Sequence, residues 1–141
     1  MIILDTNIVS EGDKPSPSDH VLRWFKEQDP LSLYLCGPVV MELSYGAVRY
    51  LARNGSDRYL KILSQLVSER FRGRILEFNS ATPSVAGEIR AQRESIGRPI
   101  SVQDAMIAAI CLVHDASLAT RNVRDFDGLD LKLVNPFETG A

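Results

Sequence analysis

The chain has 141 residues, of which 45% are hydrophobic and 24% charged, and its formal net charge is −2. This balance excludes a disordered or fibrous chain, and the small negative charge excludes a polycation that coats nucleic acid by neutralising phosphates. It leaves room for a local basic groove around an acidic centre, and the length predicts a single domain over residues 1–141. Cys36 and Cys111 both sit in apolar surroundings and read as buried, reduced thiols. Two cysteines are too few for a disulfide framework, and His20 and His114 are not spaced to complete a zinc site with them. The opening residues show no basic stretch followed by a long apolar one, so no secretory signal is expected. The longest apolar run, Ala105 to Val113, is about half of the ~20 residues a bilayer span needs, and a cytoplasmic protein with no membrane contact is expected.

Met1 to Leu4 is a short apolar run that predicts a strand buried on both faces, the habit of parallel sheets. Asp5, Thr6 and Asn7 follow at once and are good residues for opening a helix. Gly12 to Asp19 reads as a loop, and Val21, Leu22, Trp24 and Phe25 as the apolar part of a helix that fades before Pro30. Leu31 to Cys36 predicts a second strand, and Pro38 starts a helix to about Ala52. Val39, Leu43, Ala47, Tyr50 and Leu51 share one face of that helix, and Glu42, Gly46, Arg49 and Arg53 another. A further helix runs from Ser56 to about Phe71, with Tyr59, Ile62, Leu63, Leu66 and Val67 as its apolar stripe. Arg74 to Phe78 predicts a third strand, and Ser80 to Ile96 a helix with Val85, Ile89 and Ile96 inward. Val102 to His114 is a nearly continuous apolar helix, which implies burial on most sides. Leu118 to Thr120 and Lys132 to Val134 are the last strands. Alternating helices and short strands predict an α/β fold, a three-layer α/β/α, Rossmann-like domain with a mainly parallel central sheet.

Open parallel sheets bind ligands beyond the carboxyl ends of their strands. Asp5 follows the first strand, Asn122 and Asp125 follow the fourth, Glu42 lies early in the helix after the second, and Asp104 opens the most apolar helix. These groups are distant in sequence but can meet on one edge of the sheet. Asp5 and Asp104 each have a plainer role open to them. Asp5 can cap a helix, and Asp104 can be held by N–H groups at a helix start. Glu42 has no partner at helical spacing, since Gly46 occupies that place. Carboxylates sharing a cleft repel one another, and a hard divalent cation such as Mg²⁺ supplies the missing positive charge. A centre of that kind suits phosphodiester hydrolysis.

The segments MIILDTNIVSE, VVMELSYG, VQDAMIAAICLVHD and LATRNVRDFDGLDLKLVNPF together resemble the PIN-domain family, in its VapC/FitB-type branch of toxin ribonucleases from bacterial type II toxin–antitoxin systems. The resemblance covers essentially the whole chain. It implies a metal-dependent endoribonuclease using Mg²⁺, with Mn²⁺ also accepted, that leaves 5′-phosphate and 3′-hydroxyl ends on transfer or ribosomal RNA. It assigns Asp5, Asp104 and Glu42 to the metal, Thr6 and Asn7 to orienting the first acid or the metal's waters, and Thr120 to a supporting hydroxyl. Many members place an aspartate directly after the Thr-Arg pair, whereas this chain has Asn122, with Asp125 three residues on. Asp125 is then the catalytic fourth acid, or Asn122 completes that side through water. Arg121 borders the site as a possible RNA contact. Arg49, Arg53, Arg58, Lys61, Arg90, Arg93, Arg98 and Arg124 are further candidates for phosphate, each with solvated surface as its ordinary reading. The resemblance also implies a cognate antitoxin, a homodimer, and contact with DNA only indirectly through the antitoxin. Two alternatives stand beside it: a single-stranded DNA or flap nuclease of the same fold, and a catalytically silent module that binds RNA or protein.

Overall fold

The structure is a computed structural model, and it describes residues 1–138. Five strands form one sheet in the order β3-β2-β1-β4-β5, where β1 is Ile2–Leu4, β2 Leu33–Cys36, β3 Ile75–Leu76, β4 Ser117–Ala119 and β5 Lys132–Val134. All four neighbouring pairs run parallel. The chain first travels outward from β1 through β2 to β3, then returns to the other side of β1 for β4 and β5. The order therefore reverses between β1 and β4, the position at which open α/β sheets leave a crevice.

Six helices make the connections: α1 (Thr6–Gly12), α2 (Asp19–Glu27), α3 (Gly37–Asn54), α4 (Arg58–Gln65), α5 (Thr82–Ser95) and α6 (Val102–Val113). Parallel crossovers are almost always right-handed, so the helices that follow β1 and β2 lie on one face and those entered after the reversal on the other. In α6, Ala105, Ile107, Ala108, Ala109, Ile110 and Cys111 have no exposed surface, as the apolar run predicts. They join Ile3, Leu4 and Leu118 from the central strands in one core. Among the described residues no helix is long and apolar enough to cross a membrane.

The departures from expectation are local. Pro30 opens a 3₁₀ turn over Pro30–Ser32, capped by the Asp29 carboxylate at 3.0 Å, so β2 begins at Leu33 instead of Leu31. The third strand shrinks to two residues at the sheet edge. The helix expected to reach Phe71 ends at Gln65 and gives way to a wider π turn, Leu66–Arg70. Of its apolar stripe only Leu66 is buried. Ile96 is 60% exposed rather than inward, because α5 stops at Ser95 and Gly97 (φ 71°) turns the chain away.

The Ile107→Ala variant should cost about 2–5 kcal/mol, since Ile107 has no exposed surface and its loss leaves a void in the core. Urea unfolding reads this directly, and a loss well under 1 kcal/mol would contradict the packing described.

Candidate metal centre

Asp5 occupies the step from β1 into α1. Its extended backbone (φ −72°, ψ 160°) makes it the N-cap, and its Oδ1 accepts from the Thr6 amide at 2.8 Å. The Thr120 hydroxyl donates to Oδ2 at 2.8 Å, and Asn7 Nδ2 lies 3.5 Å from the same oxygen. Thr120 follows β4 immediately and has no exposed surface. One hydrogen bond thus crosses the reversal point of the sheet, beside the main-chain bond from Asp5 N to Ala119 O at 2.9 Å. Capping and site-forming, separate options in the sequence, are carried by one carboxylate.

Glu42 approaches from the first turns of α3. Its Oε2 accepts from the Thr6 hydroxyl at 2.6 Å and from Gln103 Nε2. Asp104 approaches from the first turn of α6, where the Ser101 hydroxyl caps the helix by accepting from the Asp104 amide at 3.0 Å. Asn122 comes from beyond β4, its amide donating to Thr120 Oγ1 at 3.0 Å. Asp5, Thr6, Asn7, Glu42, Ser101, Gln103, Asp104 and Asn122 line one open cavity of about 540 Å³. Asp125 is exposed in the 3₁₀ turn Val123–Phe126 and is not among the lining residues, although its charge reaches both Asp5 and Asp104.

The electrostatics are those of a site short of positive charge. Burial raises the Asp104 carboxyl to about 6, and the charges of Asp5, Asp125 and Glu42 push the same way against the Ser101 hydroxyl. Asp5 is also raised, chiefly by burial, while the Thr120 and Thr6 bonds pull it down and the Glu42 and Asp125 charges push it up. Every acidic donor here is oxygen, the set that Mg²⁺ and Mn²⁺ accept. Among the described residues no group of three His, Cys, Asp or Glu stands close enough to form a ready metal cage. An open set of carboxylates fits a cation that keeps several of its waters.

The model of the PIN-domain family matches residues 2–131. The chain belongs to the PIN-domain family. The toxin FitB of Neisseria gonorrhoeae is 31% identical over 97% of this chain and 99% of its own length. The plasmid stability protein StbB of Pseudomonas syringae is 33% identical over 98% and 99%, and a VapC ribonuclease of Sinorhizobium fredii is 33% identical over the same shares. The solved structure of FitAcB from Neisseria gonorrhoeae superposes with a TM-score of 0.86 at 31% identity, covering 98% of this chain and 99% of that one. FitAB bound to a DNA fragment superposes at 0.89 with 30% identity, covering 100% and 99%. This PIN-domain chain is therefore of the VapC/FitB toxin type, and membership implies nuclease activity.

Other expectations fare unevenly. Arg121 stands at the site, its amide donating to Asn7 Oδ1 at 3.1 Å, while its guanidinium stacks 4.4 Å from the Phe137 ring. Arg93 is buried and unavailable to phosphate. Ser101 and Gln103 line the cavity and were not singled out as site residues from the sequence. Ser101 had a signal, because Ser-x-x-Asp before an apolar run is a helix-capping pattern. Gln103 had none.

The raised Asp104 carboxyl has a stability consequence. Its ordinary value is 3.8 and its folded value about 6, so between them the folded state binds more protons than the unfolded state. Stability contributed by this group falls as pH rises through that window, and the penalty is complete above about 6. The metal-free Asp104→Asn variant should melt a few degrees higher than the parent at pH 7.5, with a flatter pH dependence between 4 and 6. Thermal unfolding across pH checks this, and an unchanged slope with no gain would contradict it.

Proposed function

We propose that this PIN-domain protein is a metal-dependent endoribonuclease, the toxin of a type II toxin–antitoxin pair, in which residues 1–141 act as a single domain. The observation that carries the reading is the convergence of Asp5, Glu42 and Asp104 on one cavity at the reversal point of the sheet. Asp5 and Asp104 would hold Mg²⁺, or Mn²⁺ in its place, with Glu42 beside them. When bound, the cation lowers the pKa of a water and offsets charge on the phosphate. Thr120, Thr6 and Asn7 fix the direction of the Asp5 carboxylate by donating to it, and the first two favour its charged form against burial. Glu42, already turned toward the cavity by Thr6 and Gln103, orients the attacking water. Asn122 completes the far wall as a neutral group, and Asp125 acts from outside it through its charge. Attack of water oxygen on phosphorus breaks the bond to the 3′ oxygen. The products are a 5′-phosphate and a 3′-hydroxyl.

The small open cavity suits an unpaired nucleotide in a structured loop, as in transfer or ribosomal RNA, better than a duplex. Arg121, whose amide is tied to Asn7 and whose guanidinium rests on Phe137, would meet its phosphate by turning toward the cavity. An apolar groove of about 440 Å³ between α1, α3 and α4 opens into the same edge, lined by Leu43, Tyr50, Tyr59, Ile62 and Leu66 and sharing Thr6 and Glu42 with the acidic cavity. We assign it to the tail of a cognate antitoxin, which would cover the acids and bring DNA only through its own binding part. Met41 and Val48, 57% and 52% exposed on the outer side of α3, suit a second copy of the chain in a homodimer. A cytoplasmic location accords with these partners.

Purified protein with Mg²⁺ should cut a structured RNA loop, leave single-stranded DNA intact and yield 5′-phosphate ends. Asp5→Asn should lower the rate by about 100-fold or more while circular dichroism stays unchanged. Cleavage at the parent rate by a folded, contaminant-free Asp5→Asn/Asp104→Asn protein would refute the assignment. Preferential cutting of the DNA would replace RNA as the substrate.

A further inference from the structure

Arg93, on α5, is only 4% exposed. Its Nε donates to the Arg98 carbonyl at 2.7 Å, and its Nη1 donates to the carbonyls of Asp125 at 2.9 Å and Asp127 at 3.3 Å. All three of these acceptors are neutral main-chain oxygens. A buried cation satisfied in this way is costly compared with an apolar side chain of similar volume, so stability alone gives it a weak rationale. What the guanidinium does supply is a rigid planar fork that joins three elements. One arm fixes the turn leaving α5, which leads through Ser101 into the first turn of α6 and Asp104. The other arm fixes the 3₁₀ turn that follows Asn122 and carries Asp125. Arg98 closes the same junction from outside, its Nη2 donating to the Arg124 carbonyl at 3.3 Å and standing 3.7 Å from Asp127 Oδ2.

We propose that Arg93 is a positioning residue of the acidic centre: it sets the distance between the start of α6, with Asp104, and the loop after β4, with Asn122 and Asp125. This rests on the metal-centre reading given above. Arg93 acts through the main chain and touches neither substrate nor cation. Lysine keeps the charge and the stem but presents one point of donation and does not bridge two loops in a plane. Methionine fills the volume and donates nothing.

The test compares the parent, Arg93→Lys and Arg93→Met as full-length proteins. Mn²⁺ affinity is measured by calorimetry well below each melting temperature, with thermal unfolding measured alongside. The parent should bind Mn²⁺ in a manner lost in Asp5→Asn. Both Arg93 variants should fold and bind Mn²⁺ about 10-fold or more weakly, by the scale on which groups supporting metal ligands act. Lower melting temperatures with parent-like Mn²⁺ affinity would reduce Arg93 to a structural residue and overturn the inference while leaving the nuclease reading intact. Failure of both variants to fold would also overturn it, by making Arg93 a requirement of the fold and not of the site. A parent that binds no Mn²⁺ would overturn the metal-centre reading itself, and this inference with it.

Discussion

The hydrogen bond from the Thr120 hydroxyl to the Asp5 carboxylate ties together the two strands between which the sheet reverses direction. Asp5 is buried there because it must also cap α1, and it stays ionisable there because a backbone amide and a hydroxyl donate to it. Everything else at the site is arranged about that fixed carboxylate. Thr6, which supplies the capped amide, uses its own hydroxyl to steer Glu42 inward from α3. Thr120 accepts the Asn122 amide, and Asn7 accepts the Arg121 amide, so both residues after β4 are registered against the first acid.

The cost of this arrangement is electrostatic. A carboxylate at the start of an apolar helix faces a buried carboxylate and a third acid across an open cavity, and its proton is held to about 6. A fold that kept these groups for packing would have done better with neutral ones. A divalent cation would relieve the conflict, and through it a small acidic protein would act on a polyanion. The net charge of −2 describes the sum over the chain, whereas the phosphate would meet a cation at the centre.

The layer order and the parallel sheet were legible because each strand is a short apolar run and each long helix carries an apolar stripe. The burial of α6 followed from its uninterrupted run, whereas the rule that ligands bind beyond strand ends only allowed Asp5, Glu42 and Asp104 to meet, and the family resemblance assigned them to one centre. What sequence could not show was set by contacts between segments far apart in the chain. Arg93 shares the buried stripe of α5 with Ala86 and Ile89, but its charge reads as solvated surface, and only carbonyls 32 and 34 residues away satisfy it there. Gln103 reaches Glu42 across 61 residues, with no pattern to announce it. Ile96 reads as inward by helical period, but the period ends one residue earlier. The choice between Asn122 and Asp125 depended on the exact path of the turn after β4, which puts the amide on the cavity wall and the carboxylate outside it.

The central claim is that the acids of β1, α3 and α6 share a divalent cation. Crystals of the protein soaked in Mn²⁺, with data collected at the manganese absorption edge, test it most directly. The account predicts an anomalous peak between the Asp5 and Asp104 carboxylates, on the Glu42 side of the cavity and completed by waters. A peak elsewhere on the molecule, or none at saturating Mn²⁺, would contradict it.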